Sequence, residues 1–251
     1  MKIKWLIAGI VLTCLVIGIA TIFTHQNEQK SAFITQGSNE PFALNTIIPE
    51  SPATAAMYKV ISEDSISEGS PKSMEIKTSI PSESEAPALA EKALERYGGL
   101  PKDAVLYKVV QNTIKKYNTK TGVIEEEYPQ CTQVIYRQYI DGKPVMGAGI
   151  NVELGENGEL LGIHKGWRTL EYAGEVPVIT AGEAYEKLKK GETLVMYQSG
   201  TIGLKVSDIK MGYYAEPITK DQKYYTPVWL FYAAREGQTP FPYPVDAVKT
   251  T

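Results

Sequence analysis

The 251-residue chain has few of the side chains that most often bind metals or carry catalysis, with only two cysteines and two histidines. His25 and His164 cannot form a His-Glu-x-x-His zinc motif, and no Cys-x-x-Cys pair occurs. Cys14 lies in an apolar run and Cys131 in a predicted sheet, so the two thiols are not expected to pair. Neither a Gly-x-Ser-x-Gly sequence nor a glycine-rich phosphate loop is present. We therefore expect no metal, no cofactor and no catalytic residues.

Positive charge is not in excess either. The 26 lysines and arginines stand against 29 acidic residues, which gives a formal net charge of −3. Such a balance offers nothing that would attract nucleic acid. With 43% hydrophobic and 22% charged residues, the composition is that of a globular protein with one or two cores.

One long hydrophobic run, residues 5–23, carries no charge. At about 1.5 Å per residue it is long enough to span a hydrocarbon layer of roughly 30 Å, so it predicts a transmembrane helix. Lys2 and Lys4 precede it, which places the N-terminus in the cytoplasm and the rest of the chain outside the plasma membrane. Small residues that would let another membrane helix pack closely lie at Gly9, Thr13 and Gly18, although such residues also occur by chance.

Two alternatives for this run remain open. Gly18-Ile19-Ala20 has the small residues of a signal-peptidase site, which would make the mature protein soluble, but the run is longer than an ordinary signal-peptide core. Val11-Leu12-Thr13-Cys14 faintly resembles a lipoprotein box, although the threonine is unfavourable before the cysteine.

The amino-acid composition changes twice along the chain, which divides it into an anchor, a linker and a folded part. Residues 1–24 form the predicted anchor, and residues 25–56 are polar with too few apolar residues to fold, so they predict a flexible linker. Two units with similar element order follow, residues 57–176 and residues 177–251.

The stretch 136–167 predicts a β-meander. Asp141-Gly142 and Asn157-Gly158 tolerate the positive φ angles of tight hairpin turns. Between them, apolar and polar residues alternate, so one face should pack on a core. Further strands are predicted near residues 57–61, 74–80, 104–110, 202–214, 224–234 and 243–249, and the strand at 104–110 could continue to residue 117.

Each unit is predicted to contain one helix. Ser82 or Ser84 can cap the first, and Gly98-Gly99 ends it. Thr180 and Glu183 form a capping box for the second. We therefore predict an α+β fold in which an N-terminal transmembrane helix precedes two tandem modules, each with a helix on an antiparallel sheet.

Several segments resemble known families. Residues 136–145 together with Asn157-Gly158 are similar to the hairpin of the FTP and PepSY-type modules in propeptides of secreted metallopeptidases. Residues 180–184, 227–231 and 245–247 resemble the helix entry, central strand and closing strand of the same cystatin-like fold. No peptidase domain follows, so a propeptide role in cis is not expected.

Tandem copies behind one anchor resemble the YycH/YycI-type regulators. These are bitopic proteins that act on the membrane histidine kinase of a cell-wall-controlling two-component system. The likeness covers roughly residues 74–250, and it implies a non-enzymatic regulatory module.

Two groups of residues are candidate interaction surfaces. An acidic turn could dock on a basic partner, although a solvated loop is the simpler interpretation; it consists of Glu125, Glu126 and Glu127. Tyrosines crowd the second unit, where some should pack in the sheet and an exposed subset could bind a partner; they include Tyr213, Tyr214, Tyr224 and Tyr225.

The favoured hypothesis is a membrane-anchored extracytoplasmic regulator that binds another envelope protein, such as a sensor kinase. The alternatives are a PepSY-like inhibitor of a secreted peptidase and a cell-wall-binding protein.

Overall fold

The computed structural model of the protein describes residues 42–195 and 203–250. Strands dominate these residues. They are β1 (Phe42–Leu44), β2 (Thr54–Gly69), β3 (Ala104–Tyr117), β4 (Ile124–Ile140), β5 (Lys143–Leu154), β6 (Leu160–Pro177), β7 (Leu204–Tyr214), β8 (Tyr224–Tyr225), β9 (Pro227–Ala234) and β10 (Phe241–Asp246). The described α-helices are α1 (Ala86–Leu94) and α2 (Ala181–Lys189).

The strands pair in a mixed sheet. Its main path runs β10-β9-β7-β5-β6-β2-β8; in addition, β1 pairs with β7, and β4 pairs with both β3 and β5. The β1–β7 and β5–β7 pairings are parallel, whereas β9 is antiparallel to both β7 and β10.

The prediction of two tandem helix-on-antiparallel-sheet modules is wrong. The described chain is mostly strand in a large mixed sheet, and each α-helix has only 9 residues. The chain does divide into two compact units, but β2, β4, β5 and β6 each contribute residues to both. Periodicity along a sequence shows which residues of a strand share a face, but it does not show which distant strand lies beside it. The prediction of two separate sheets failed for this reason.

The predicted meander is confirmed. Asp141 and Gly142 have φ of 48° and 74° between β4 and β5, and Asn157 and Gly158 have φ of 54° and 77° between β5 and β6. With positive φ at both positions, the backbone twist of a tight turn matches the twist of the strands on either side of it.

One compact unit comprises residues 65–136 and 149–165 of the described ranges. Ser82 and Glu85 exchange side-chain to backbone hydrogen bonds of 3.3 and 3.1 Å just before α1. The N-cap residue of α1 is Glu85, which makes no side-chain capping hydrogen bond, so the predicted cap at Ser82 or Ser84 is wrong for this helix. The helix buries Ala86, Ala90 and Leu94. The strand predicted at residues 74–80 is wrong, because a 3-10 turn (Pro71–Met74) and irregular chain occupy this region.

The other unit comprises residues 42–64, 137–148, 166–195 and 203–250 of the described ranges. Helix α2 begins with the predicted capping box, in which Glu183 N donates to Thr180 Oγ1 at 3.1 Å and Thr180 N donates to the Glu183 carboxylate at 2.8 Å. The core of the unit joins α2 to β1, β7, β9 and β10 through Phe42, Tyr185, Leu188, Val206, Phe231 and Val245. Strand β1 therefore lies within the range that the sequence predicts as linker.

No helix within residues 42–195 or 203–250 is both long and apolar enough to cross a membrane. The predicted anchor, residues 5–23, lies outside the described residues, as do its candidate packing positions Gly9, Thr13 and Gly18. The boundaries predicted for anchor, linker and modules stay predictions.

Candidate protein-binding surface

Strands β3 and β4 form a hairpin whose turn is closed by the backbone. Asn118 N donates to Val123 O and Gly122 N donates to Asn118 O, both at 2.8 Å. The hairpin, residues 104–128, lies entirely within one compact unit.

This hairpin exposes apolar side chains. Val105, Leu106 and Tyr107 are consecutive in β3 and are 46%, 45% and 59% exposed. Successive side chains of a strand point to opposite faces, so both faces of β3 are open to solvent here. At the other end of the hairpin, next to its turn, the side chains of Tyr117, Val123 and Ile124 are also exposed. Contiguous exposed apolar residues are typical of surfaces that bind another protein.

The predicted acidic turn lies in the first part of β4, and its carboxylates are bound by residues of the same hairpin. Asn118 Nδ2 donates to Glu125 at 2.8 Å. Lys116 Nζ donates to Glu126 at 3.1 Å. Thr113 Oγ1 donates to Glu127 at 2.5 Å, and Lys115 Nζ lies 3.6 Å from the same carboxylate.

The contacts of Glu126 and Glu127 lower the pKa values of these two carboxyl groups. Hydrogen bonds from Tyr128 and then Lys116 hold the pKa of Glu126 below its ordinary value. The hydrogen bond from Thr113 lowers the pKa of Glu127 in the same way. Hydrogen bonds to the charged form favour ionisation of Glu126 and Glu127. The contacts of the three glutamates form a network within the hairpin. Their role as an interaction surface stays a prediction.

The structure separates the four tyrosines predicted as an interaction surface. Tyr213 and Tyr225 are fully buried, Tyr214 is half-buried, and Tyr224 is 44% exposed. Of these rings, Tyr224 is therefore the one that a partner could contact most directly. Burial in a sheet agrees with the preference of aromatic residues for strands.

Tyr213 belongs to a polar-tipped aromatic cluster. Its ring meets that of Tyr58 edge-on, with centroids 5.4 Å apart, and its hydroxyl donates to Ala56 O at 3.2 Å. The Tyr58 hydroxyl in turn donates to the Asp141 carboxylate in the β4–β5 turn. Burial raises the pKa of Tyr213 to about 12. Burial and the hydrogen bond to Asp141 raise the pKa of Tyr58 as well, so both phenols stay protonated donors near neutral pH.

Arg168, on β6, is a structural residue that the sequence analysis missed. It is 1% exposed, and its Nε donates to Glu63 at 2.5 Å. The rest of the guanidinium donates to the loop between β7 and β8, to Glu216 O at 2.7 Å, to Lys220 O at 3.1 Å and to the Gln222 side chain at 3.1 Å. The sequence offered one signal for it, a basic residue that directly follows an aromatic residue in a predicted strand.

Of the cysteines and histidines, Cys131 and His164 lie in the described part of the chain. Cys131 is fully buried, with Asn112 Nδ2 at 3.6 Å from its sulfur, as expected of a packed thiol. Burial lowers the pKa of His164. Residues 42–195 and 203–250 contain no group of three or more His, Cys, Asp or Glu side chains arranged to hold a metal ion.

Comparison with known families decides the relationship of this chain. The family model described as YycI protein matches residues 51–242. The chain belongs to the YycI family. No curated protein matches the chain. The YycI match covers most of the two compact units and confirms the likeness to YycI-type regulators, whereas the likeness to PepSY and FTP modules gains no support from it.

The YycI family consists of regulatory proteins of a two-component system and is not a catalytic family. Membership therefore assigns this chain to two-component regulation and to protein binding. It also makes another envelope protein, such as a component of a sensor-kinase complex, the expected class of partner.

Proposed function

We propose that this chain is a single-pass membrane protein that modulates a sensor histidine kinase by binding it, without catalysing a reaction. Residues 5–23 anchor it, the N-terminus is cytoplasmic, and the body lies outside the plasma membrane. The YycI family match over residues 51–242 is the observation that carries this proposal.

Two features of the chain support the proposal. The uncharged run at residues 5–23, preceded by Lys2 and Lys4, suits a membrane anchor with a cytoplasmic N-terminus. The exposed Val105, Leu106 and Tyr107 of the β3–β4 hairpin suit a surface that a protein partner covers. Nothing in the family relationship favours peptidase inhibition or cell-wall binding.

The test is co-purification from membranes. The tagged full chain is crosslinked in cells, purified, and probed for the histidine kinase of the same envelope. The proposal expects the kinase in the purified complex. A matched control carries the same tag on a chain in which residues 5–23 are replaced by an unrelated transmembrane helix, which separates the contribution of the anchor from that of the body. Absence of the kinase from both samples would contradict the proposal.

A further inference from the structure

The outer edge of β3 offers an open row of backbone groups. Within residues 42–195 and 203–250, β3 pairs with β4 alone, so the main-chain donors and acceptors along its other edge have no strand beside them. The strand is 14 residues long and contains neither proline nor glycine, which would interrupt pairing. A long regular edge of this kind is a template for another extended chain.

The side chains of this edge suit an added strand. Val105, Leu106 and Tyr107 are about half exposed. A neighbouring strand would cover such side chains on both faces of the sheet and remove their apolar surface from water. Proteins usually protect an open edge with charged residues, yet this part of β3 presents three apolar residues in succession.

Charge selects the kind of strand that fits. Residues 104–117 include Lys108, Lys115 and Lys116 and no acidic residue. Lys115 and Lys116 pair with glutamates of β4, whereas Lys108, exposed beside the apolar residues, faces solvent. A second copy of β3 would align two cationic strands, while a strand with carboxylates would complement the edge.

We propose that β3 accepts, as an added strand, an extended segment of another protein in which apolar residues alternate with aspartate or glutamate. The inference rests on the proposed function, since it names the surface and the chemistry through which the chain would hold its envelope partner. Main-chain hydrogen bonds would supply affinity, and the apolar residues with Lys108 would supply selectivity.

The experiment is site-specific photo-crosslinking of the full chain in its native membrane. The photoreactive residue p-benzoylphenylalanine replaces Tyr107 in one version and, as a control, Thr119 in the exposed turn of the same hairpin in another. Adducts are digested and the crosslinked peptide is identified by mass spectrometry. Lys108→Glu is then combined with the probe at position 107, and Lys120→Glu, the same charge change in the turn, serves as its control.

The proposal expects the probe at position 107 to form an adduct with an acidic and apolar segment of another protein, well above the control at position 119. Lys108→Glu should lower the adduct yield by about tenfold, because a like charge then faces the carboxylates, and Lys120→Glu should leave it within about twofold. Circular dichroism of both variants checks that the hairpin still folds.

Four results would overturn the inference: an adduct with a second copy of this chain, an adduct with residues 1–41 of the same chain, an adduct with a segment that lacks acidic residues, or no adduct above the control at position 119. An unchanged yield in Lys108→Glu would overturn it as well. If the kinase still co-purifies while position 107 gives no adduct, the edge-strand inference fails and the proposed function stands. If the kinase is absent too, both fail.

Discussion

Replacing Arg168 with alanine removes the guanidinium that joins the loop between β7 and β8 to the sheet. In the folded chain this group makes a 2.5 Å contact with Glu63 and donates to the backbone oxygens of Glu216 and Lys220 at 2.7 and 3.1 Å. Burial lowers the pKa of Arg168, but its interactions with Glu63 and Tyr225 more than offset this effect, so its pKa stays above the ordinary value. The guanidinium is therefore charged in the folded state at every accessible pH.

The cost of Arg168→Ala can be worked from these contacts. Each of the two part-buried carbonyls left without a donor costs about 1–3 kcal/mol. The Glu63 side chain is 38% exposed, so water can solvate it once its partner is gone, and its share is small. We expect a total loss of about 3–5 kcal/mol in the free energy of unfolding. At about 2–4 °C per kcal/mol for a chain of this size, Tm should fall by roughly 6–20 °C.

Urea denaturation followed by tryptophan fluorescence measures this loss, because Trp167 and Trp229 are 4% and 2% exposed and report on the core. Arg96→Ala is the matched control. The Arg96 side chain is exposed and lies 4.8 Å from the centroid of the Tyr97 ring, so its removal should cost less than about 1 kcal/mol. Arg168→Lys keeps the charge but not the planar set of donors, and about 2 kcal/mol should be lost.

A loss below about 1 kcal/mol for Arg168→Ala, similar to that of Arg96→Ala, would refute the reasoning. It would mean that the loop carbonyls find other donors or water once the guanidinium is absent. An unchanged m-value is also expected, since the change affects the folded state more than the surface exposed on unfolding.

Three further predictions concern other parts of the chain. Thr180→Ala should lower the free energy of unfolding by about 1 kcal/mol, because it removes the capping box of α2; no change in the urea midpoint would argue against the cap. Gly147→Ala should cost about 2 kcal/mol or more, because φ there is +101° and the added Cβ would overlap the backbone oxygen of Ala215; a thermal melt equal to wild type would contradict this. Glu126, whose pKa is held low mainly by the hydrogen bond from Tyr128, should titrate below its ordinary value in a carboxyl-carbon NMR titration. Its contribution to stability is present above the unfolded-state pKa and is lost as the pH falls through the folded-state pKa, and Tyr128→Phe should move the folded-state midpoint upward.

Local features of the fold could be predicted from the sequence. Asp141-Gly142 and Asn157-Gly158 fix the two hairpin turns, because few other dipeptides adopt positive φ at both positions. The capping box of Thr180 and Glu183 marks the start of α2 for a similar reason, since it depends on contacts within four residues.

Non-local features could not be predicted in this way. Strand β1 (Phe42–Leu44) pairs in parallel with β7, far along the chain, and no local pattern indicates that partner. Strand β2 continues to Gly69 through serines and acidic residues whose side chains are mostly exposed, a composition that does not favour a strand. The apolar exposure of residues 105–107 also depends on which strands pair, because the same residues in a central strand would be buried.

The claim that this chain regulates a sensor histidine kinase is tested most directly by the phosphorylation level of the cognate response regulator in living cells. Phosphate-affinity electrophoresis measures it in cells with the chain, without it, and with it restored. The account predicts a change of at least about twofold on removal, equivalent to roughly 0.4 kcal/mol in the balance of kinase states, and recovery when the full chain is restored. An unchanged phosphorylation level across the three strains, under conditions in which the kinase is active, would contradict it.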